Sequence, residues 1–451
     1  MSGRLGRRCT VLTLGFLTLL VGVTGADAAV VKARVVLIAP FDASALEADD
    51  RWIGEAVTQV LTLGLVQHPA FVPLEQGRLR AFGNPAVWGV DIVQQATKTT
   101  RADVAIFGRV VRAGSDVVIQ PRVLEVKPKP GAEPVALDDV AIPDGQLVAR
   151  LATLPAVYAK VLKVLLTETE SARIEKAARP TRNVLSLELY ARAAIALARG
   201  GQEANESAVD LLSRAIESDA SFVAAQYALG IVHQTLGNRW KAAAQFRAAT
   251  QLDSSQPEPY KALGDLFLSQ PRRLFDQALE AYAKAIELRP FYADAHVGLG
   301  DARAAKGDTD AAIKAYQQAL VYNAVNPRVH LSLGKIYFAE KGLYYESVNS
   351  YKKAIDLDPT SVEARMGLGE VYEDKGLYKE AADEYHRVIE VDGKHTGALY
   401  NLATVYEKTD PREAINQWER YIALASQQPS EKDWVDVARQ HLRKLKGQVK
   451  D

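Results

Sequence analysis

The chain has 451 residues, room for two or three structural units, and its 55 Lys plus Arg are balanced by 55 Asp plus Glu. That neutrality argues against a dominant nucleic-acid or anionic-membrane footprint. A hydrophobic share of 48% suits a folded chain, and one cysteine, Cys9, leaves no disulfide framework and no thiolate metal cluster.

Residues 1–28 read as a secretory signal. Arg4, Arg7 and Arg8 precede a mostly apolar run over 11–23, short for a membrane span, and Ala26-Asp27-Ala28 fits the small-x-small cleavage rule. The expectation is a periplasmic chain cleaved near Ala28; the alternative is an inner-membrane anchor formed by the uncleaved segment. Cys9 lies before the apolar run, where a lipoprotein signal needs its cysteine after it, so no lipid anchor is expected. The sequence after Arg7-Arg8 continues a twin-arginine signal poorly, which favours the general secretory route.

Residues 29–145 have an α/β texture. A β-branched run over 33–40 (ARVVLIAP) is a strand, and 49–67 carries Trp52, Ile53, Val57, Val60, Leu61 and Leu65 at helical spacing behind Asp49 and Asp50, which suit a cap. Residues 71–74 form a short strand and 91–100 a second helix; 103–111 and 117–126 form a hairpin turning at Gly114, and 135–142 a last strand beyond a polar loop. The order is βαβαββ, an α/β sandwich. Residues 146–182 read as a helical linker that either closes the sheet or caps the segment after it, with the boundary near Pro180.

From 183 to 427 the chain repeats itself. Gly230, Gly264, Gly300, Gly334, Gly369 and Ala403 recur at intervals of 34, 36, 34, 35 and 34 residues, each preceded by leucine. About a dozen residues after each comes a small–aromatic pattern: Ala242/Phe246, Ala278/Tyr282, Ala312/Tyr316, Ser347/Tyr351, Ala381/Tyr385 and Ala414/Trp418. The small residue lets a second helix approach and the aromatic fills the gap, so a unit alone cannot bury its apolar face and units must stack. This pattern resembles the tetratricopeptide repeat; there are six clear units, with 187–220 a degenerate first one. The fold class expected is therefore an α+β two-part chain, an α/β sandwich followed by an all-α right-handed solenoid. Residues 428–451 supply a C-terminal capping helix, with Ser430 and Asp433 as a capping box, Trp434, Val435, Val437, Ala438 and Leu442 covering the last repeat, and Arg439, Arg443, Lys444 and Lys446 in water.

The first segment resembles the TolB amino-terminal-domain-like group, related to FlgO and CsgG domains. The resemblance rests on Val36-Leu37-Ile38-Ala39-Pro40-Phe41, on Gly54-Glu55, on residues 102–111 and on Gly114-Ser115-Asp116-Val117. It implies an envelope-associated accessory protein and carries over no catalytic role.

No phosphate loop, dinucleotide fingerprint, zinc-protease helix or nucleophile elbow occurs in the chain, so no enzyme activity and no cofactor are expected. His296 and His330 share a slot in adjacent repeats, where packing explains them better than a shared metal. Asp42, Asp49 and Asp50 follow the first strand, where capping and a solvated loop explain them better than a ligand.

What remains is recognition. The repeat resemblance implies a concave groove lined by the first helix of each unit. Carried over position by position, its lining is Tyr227, Ile231, Lys261, Asp265, Leu268, Asp294, Val297, Asp301, Arg328, Leu331, Lys335, Phe338, Glu363, Met366, Glu370, Glu373, Asp374 and Tyr400. An apolar strip runs beside acidic positions, which suits protein or peptide segments with apolar anchors and basic residues. Lys261 is followed by Asp265 rather than the asparagine of a carboxylate clamp. The reading is a periplasmic or envelope scaffold or adaptor for assembly of an envelope or export complex, binding no nucleic acid and compatible with peripheral envelope association. The alternative is a ligand sensor whose α/β part binds a small molecule and whose repeats relay the result.

Overall fold

The computed structural model describes residues 33–74, 82, 88–126, 133–143, 145–270 and 274–449. The signal and its cleavage site, and most of the polar loop before the last strand, lie outside these residues.

The β-branched run becomes β1 (Arg34–Ile38), buried on both faces and interior to the sheet. It pairs in parallel with β2 (Phe71–Pro73) and with β3 (Val104–Ala113), linked through α1 (Trp52–Leu65) and α2 (Val90–Thr100). β3 returns as β4 (Asp116–Glu125) through Gly114, whose φ of +66° is one that a side chain resists. The last strand is split: β5 (Val135–Ala136) and β6 (Val140–Ile142) both pair antiparallel with β4. Between them Asp138 and Asp139 stay exposed, and Asp139 accepts from Gln120, so a single continuous strand does not form.

Alternation along β1 sends Val35 and Leu37 to the face under α2 and Val36 and Ile38 to the face under α1. The segment after the sheet is no tether. α3 (Leu147–Leu151), α4 (Leu154–Val161) and α5 (Glu168–Ala178, opened by a Thr167–Glu170 capping box) bury Leu151, Leu154, Tyr158 and Ala178 in the α1-side core. At Gly64 of α1 an added Cβ would lie 2.5 Å from Pro155, so α4 sits directly on α1. The same core takes in Leu187 and Ala191 of α6 (Val184–Arg199), the first repeat helix. Sheet and solenoid thus share one apolar interior instead of meeting at a flexible joint. Val325 packs against the α2-side core, and the Arg101 guanidinium donates to the carbonyl of Asp356, so the α2 side of the sheet also leans on a loop and a helix end of later units.

The repeats form helix pairs: α6 with α7 (Gln202–Ser218), α8 (Val223–Thr235) with α9 (Arg239–Leu252), α10 (Pro257–Leu268) with α11 (Phe275–Leu288), and α12 (Ala293–Lys306) with α13 (Thr309–Tyr322). They continue as α14 (Pro327–Ala339) with α15 (Tyr344–Leu357), α16 (Val362–Asp374) with α17 (Tyr378–Val391), and α18 (Thr396–Thr409) with α19 (Pro411–Ala425). The degenerate first unit is a full pair. All six slot residues are buried, and an added Cβ at Gly230, Gly264, Gly300, Gly334 or Gly369 would lie 2.4–2.8 Å from the ring of Phe246, Tyr282, Tyr316, Tyr351 or Tyr385.

The cap is α20 (Lys432–Gln448). The expected capping box does not form, because Pro429–Glu431 make a 3-10 turn and Glu431 occupies the cap with no side-chain bond to the helix. Val435, Ala438 and Leu445 cover the last pair, and Arg439, Arg443, Lys444 and Lys446 are exposed as expected. Trp434 does not cover the core; it remains 56% exposed.

Candidate functional site: the inner face of the solenoid

First helices of successive units approach one another (α8 to α10, α10 to α12, α14 to α16) more closely than second helices do. A stack with that asymmetry bends toward its first helices, which makes their face the inner, concave one. The lining residues fall into three groups. Ile231, Arg328, Lys335, Glu363, Glu370 and Asp374 are exposed. Tyr227, Lys261, Asp265, Leu268, Asp294, Asp301, Leu331, Phe338, Met366, Glu373 and Tyr400 are half-buried. Val297 is 3% exposed and does not line the groove. Next to it, Gly298 lets α12 close on Tyr282, which shuts Val297 into a core with Tyr316 and Val329.

In the amino-terminal half most of the charges are matched. Lys261 Nζ lies 2.8 Å from Asp265, which also accepts from the Tyr282 hydroxyl at 2.7 Å. Asp301 accepts from the Tyr316 hydroxyl at 2.6 Å and pairs with Arg328. Arg289 donates to Glu258 at 2.6 Å. Burial pulls the Lys261 ammonium down, but Asp265 and Asp294 outweigh it and hold the group above its ordinary value. Burial raises the Asp301 carboxyl despite Arg328 beside it. These groups form a built polar ladder along the groove floor.

In the carboxy-terminal half the acids of α16 make no ion pair among the described residues. Glu363, Met366, Glu370, Glu373 and Asp374 recur at helical spacing on α16. Glu373 accepts from the Tyr385 hydroxyl at 3.0 Å and Asp374 from the Tyr344 hydroxyl, and Lys408 only partly offsets the burial that raises the Glu373 carboxyl. Burial, then the charge of Glu373, raises the Glu370 carboxyl, and Lys335 only partly opposes this. Phe338 packs edge-on against Tyr344 at 5.8 Å. Tyr400 sits among Trp418, Tyr421 and Trp434 at centroid distances of 5.0, 5.5 and 5.6 Å.

Other expected positions resolve as structure. His296 Nε2 contacts the Pro290 carbonyl at 2.8 Å, and His330 makes the same kind of bond to the Ala324 backbone. Among the described residues no group of three or more His, Cys, Asp or Glu side chains could hold a metal ion. The acidic residues after β1 do not cap α1. Asp42 pairs with Arg109 at 3.2 Å, Asp50 with Arg112 at 2.5 Å, and the Asp49 carbonyl accepts from Arg192 of α6.

Sequence reasoning missed Gly298 and Gly367, whose added Cβ atoms would lie 2.2 and 2.5 Å from the rings of Tyr282 and Tyr351 in the preceding units. Each of these tyrosines is therefore pinched between glycines of two units. The signal was present as Gly-Leu-Gly at 298–300 and 367–369. Glu431 was also missed: it accepts from the Tyr421 hydroxyl at 3.0 Å, and Glu407, expected by register on the groove side of the last unit, instead accepts from Trp418 Nε1 at 2.8 Å.

Comparison with known proteins agrees with this geometry. A family model described as TPR repeat matches residues 300–340 and 338–376, and one described as tetratricopeptide repeat matches 362–395. A curated relative, small glutamine-rich tetratricopeptide repeat-containing protein 2 of Mycosarcoma maydis, is 31% identical over 116 residues, covering 26% of this chain. The chain spans 32% of that relative's length. Among solved structures, YrrB, a TPR protein with an unusual peptide-binding site, is 25% identical over 45% of this chain and 99% of its own, with a TM-score of 0.37. TTC0263, a thermophilic TPR protein of Thermus thermophilus, is 24% identical over 41% of this chain and 98% of its own, with a TM-score of 0.35. Residues 300–395 are thus tetratricopeptide repeats, units that mediate protein–protein interaction, and the helix pairs on either side extend the same solenoid.

Proposed function

We propose that this chain is a non-enzymatic scaffold or adaptor that holds partner proteins in the concave groove of its solenoid, after export to the periplasm, during assembly of an envelope or export complex. The observation that carries the binding role is the groove itself, preformed by the tyrosine–carboxylate ladder on its floor. Tyr282–Asp265, Tyr316–Asp301 and Tyr385–Glu373 each tie a second helix to the inner face of a first helix in the same unit. A rigid groove keeps down the ordering cost of binding a segment. The export step rests on the signal-like residues 1–28, and the envelope role on the resemblance of the α/β segment to the TolB amino-terminal-domain-like group.

Site-specific photo-crosslinking in living cells tests this reading, with the probe at Phe338 or Met366 and a control at exposed Lys352 on α15. A discrete protein adduct from the groove probes alone is the expected result. Equal adducts at all three positions, or none, would move the binding role to the α/β part.

A further inference from the structure

Trp434 is out of place for a cap residue. It stands in the first turn of α20, 56% exposed, with its ring 5.6 Å from that of Tyr400 and at 80° to it. Tyr400 in turn belongs to the groove lining, and Met366 approaches the same α18 helix at Gly397. The cap helix therefore closes the end of the solenoid and also adds an aromatic wall to the end of the groove. Met366 comes from α16, where Glu363 and Glu370, one turn to either side of it, are exposed and enter no hydrogen bond or ion pair among the described residues. An exposed indole and unpaired carboxylates at the same end of a groove attract a cation twice, through the ring quadrupole and through charge. The amino-terminal half offers less surplus, because Lys261, Arg289 and Arg328 already pair with Asp265, Glu258 and Asp301, which leaves Asp294 near the charge of Lys261.

We propose that the carboxy-terminal end of the groove, walled by Trp434, Tyr400 and Met366 and flanked by Glu363 and Glu370, is the subsite for an arginine or lysine of the bound protein segment, with an apolar residue of that segment beside it. This rests on the reading that the groove captures protein segments, and it fixes the register: the basic residue lies toward the cap. Trp434 is then a specificity-determining residue.

The test is selection from a phage-displayed library of random short peptides on the full chain, followed by affinity measurement of one selected peptide. Selected sequences should share a basic residue next to an apolar one. Trp434→Ala should weaken the peptide by about tenfold, and Glu370→Gln by a smaller factor that shrinks with added salt. Trp240→Ala, which removes an indole 87% exposed on a second helix, should leave affinity unchanged. Selected peptides without a basic residue, no selected peptide, or equal losses in the two tryptophan variants would overturn the proposal. Concentration-dependent self-association abolished by Trp434→Ala would also overturn it, since the occupant would then be a second copy. Groove crosslinks in cells combined with a library that selects no basic residue would leave the scaffold reading standing and remove this one.

Discussion

Replacing Gly298 with alanine should destabilise the protein, although helix propensity alone points the other way. Alanine is favoured over glycine inside a helix by about 1 kcal/mol. An alanine Cβ at 298 would lie 2.2 Å from Cε1 and 2.4 Å from Cζ of Tyr282, whereas ordinary contact begins at 3.4 Å. The ring would have to retreat by about 1.2 Å, the difference between 3.4 and 2.2. It has nowhere to go: Tyr282 is 1% exposed, Gly264 closes the other side, and the hydroxyl is held by Asp265. Overpacking costs about 1–3 kcal/mol and a lost hydrogen bond about 1 kcal/mol. After the propensity gain, the net loss is about 1–3 kcal/mol. Gly447, also helical, has nothing within 4 Å of its added Cβ, so Gly447→Ala should be neutral or stabilising by a few tenths. Urea denaturation followed by circular dichroism compares the two midpoints. In a Tyr282→Leu background Gly298→Ala should cost far less, since the ring it strikes is gone. A midpoint for Gly298→Ala equal to or above that of Gly447→Ala would refute the account of how units lock together.

The joint between sheet and solenoid gives the next predictions. The Glu55 carboxyl on α1 is enclosed against α6, with Gln59 donating to it at 2.7 Å and Tyr190 donating to Gln59 at 3.4 Å. Burial pushes it up to about 7, only partly offset by Gln59. A folded value above the unfolded 4.5 means that the native state holds the proton more tightly, so stability is full below the unfolded value and falls as pH rises toward 7. The fall is at most about 3 kcal/mol, and Glu55→Gln should flatten it and raise the melting temperature near about pH 8. Parallel pH profiles for the two proteins would contradict this. Leu187→Ala should cost about 2–5 kcal/mol, because Leu187 is fully buried in the core shared by sheet and repeats. It should lower the unfolding of both parts together; a drop confined to one of them would argue against a shared interior. The in-cell crosslinking at Phe338 and Met366 remains the direct check on the groove.

Much of the site was legible in the order of residues alone. The near-constant spacing from Gly230 to Ala403 placed every slot residue in a buried contact, because a close helix–helix approach demands a small residue at a fixed point in each unit. The same register carried over the groove lining, and it failed at Val297. Register states which side of a helix a residue occupies, and the close approach at Gly298 then decides whether that side stays open. The capping expectations at Asp49, Asp50 and Ser430 failed for a related reason. A short polar side chain before a helix suits a cap, but Asp50 was taken by Arg112, a partner that arises only in the folded chain, and the Ser430 turn was tightened by its own neighbour Pro429, a signal the sequence carried.

By itself, the sequence determined the repeat, its period, the pinching of aromatics by small residues and the presence of an α/β segment ahead of the repeats. These depend on side-chain size and local periodicity, which a linear chain displays directly. Tertiary structure decided the rest: that residues 146–182 weld the sheet to the first repeat, that most charges in the amino-terminal half of the groove are paired, and that Trp434 stays exposed beside Tyr400. Each of these depends on which groups from distant segments meet, and a string of residues carries no record of such meetings until packing has chosen among them.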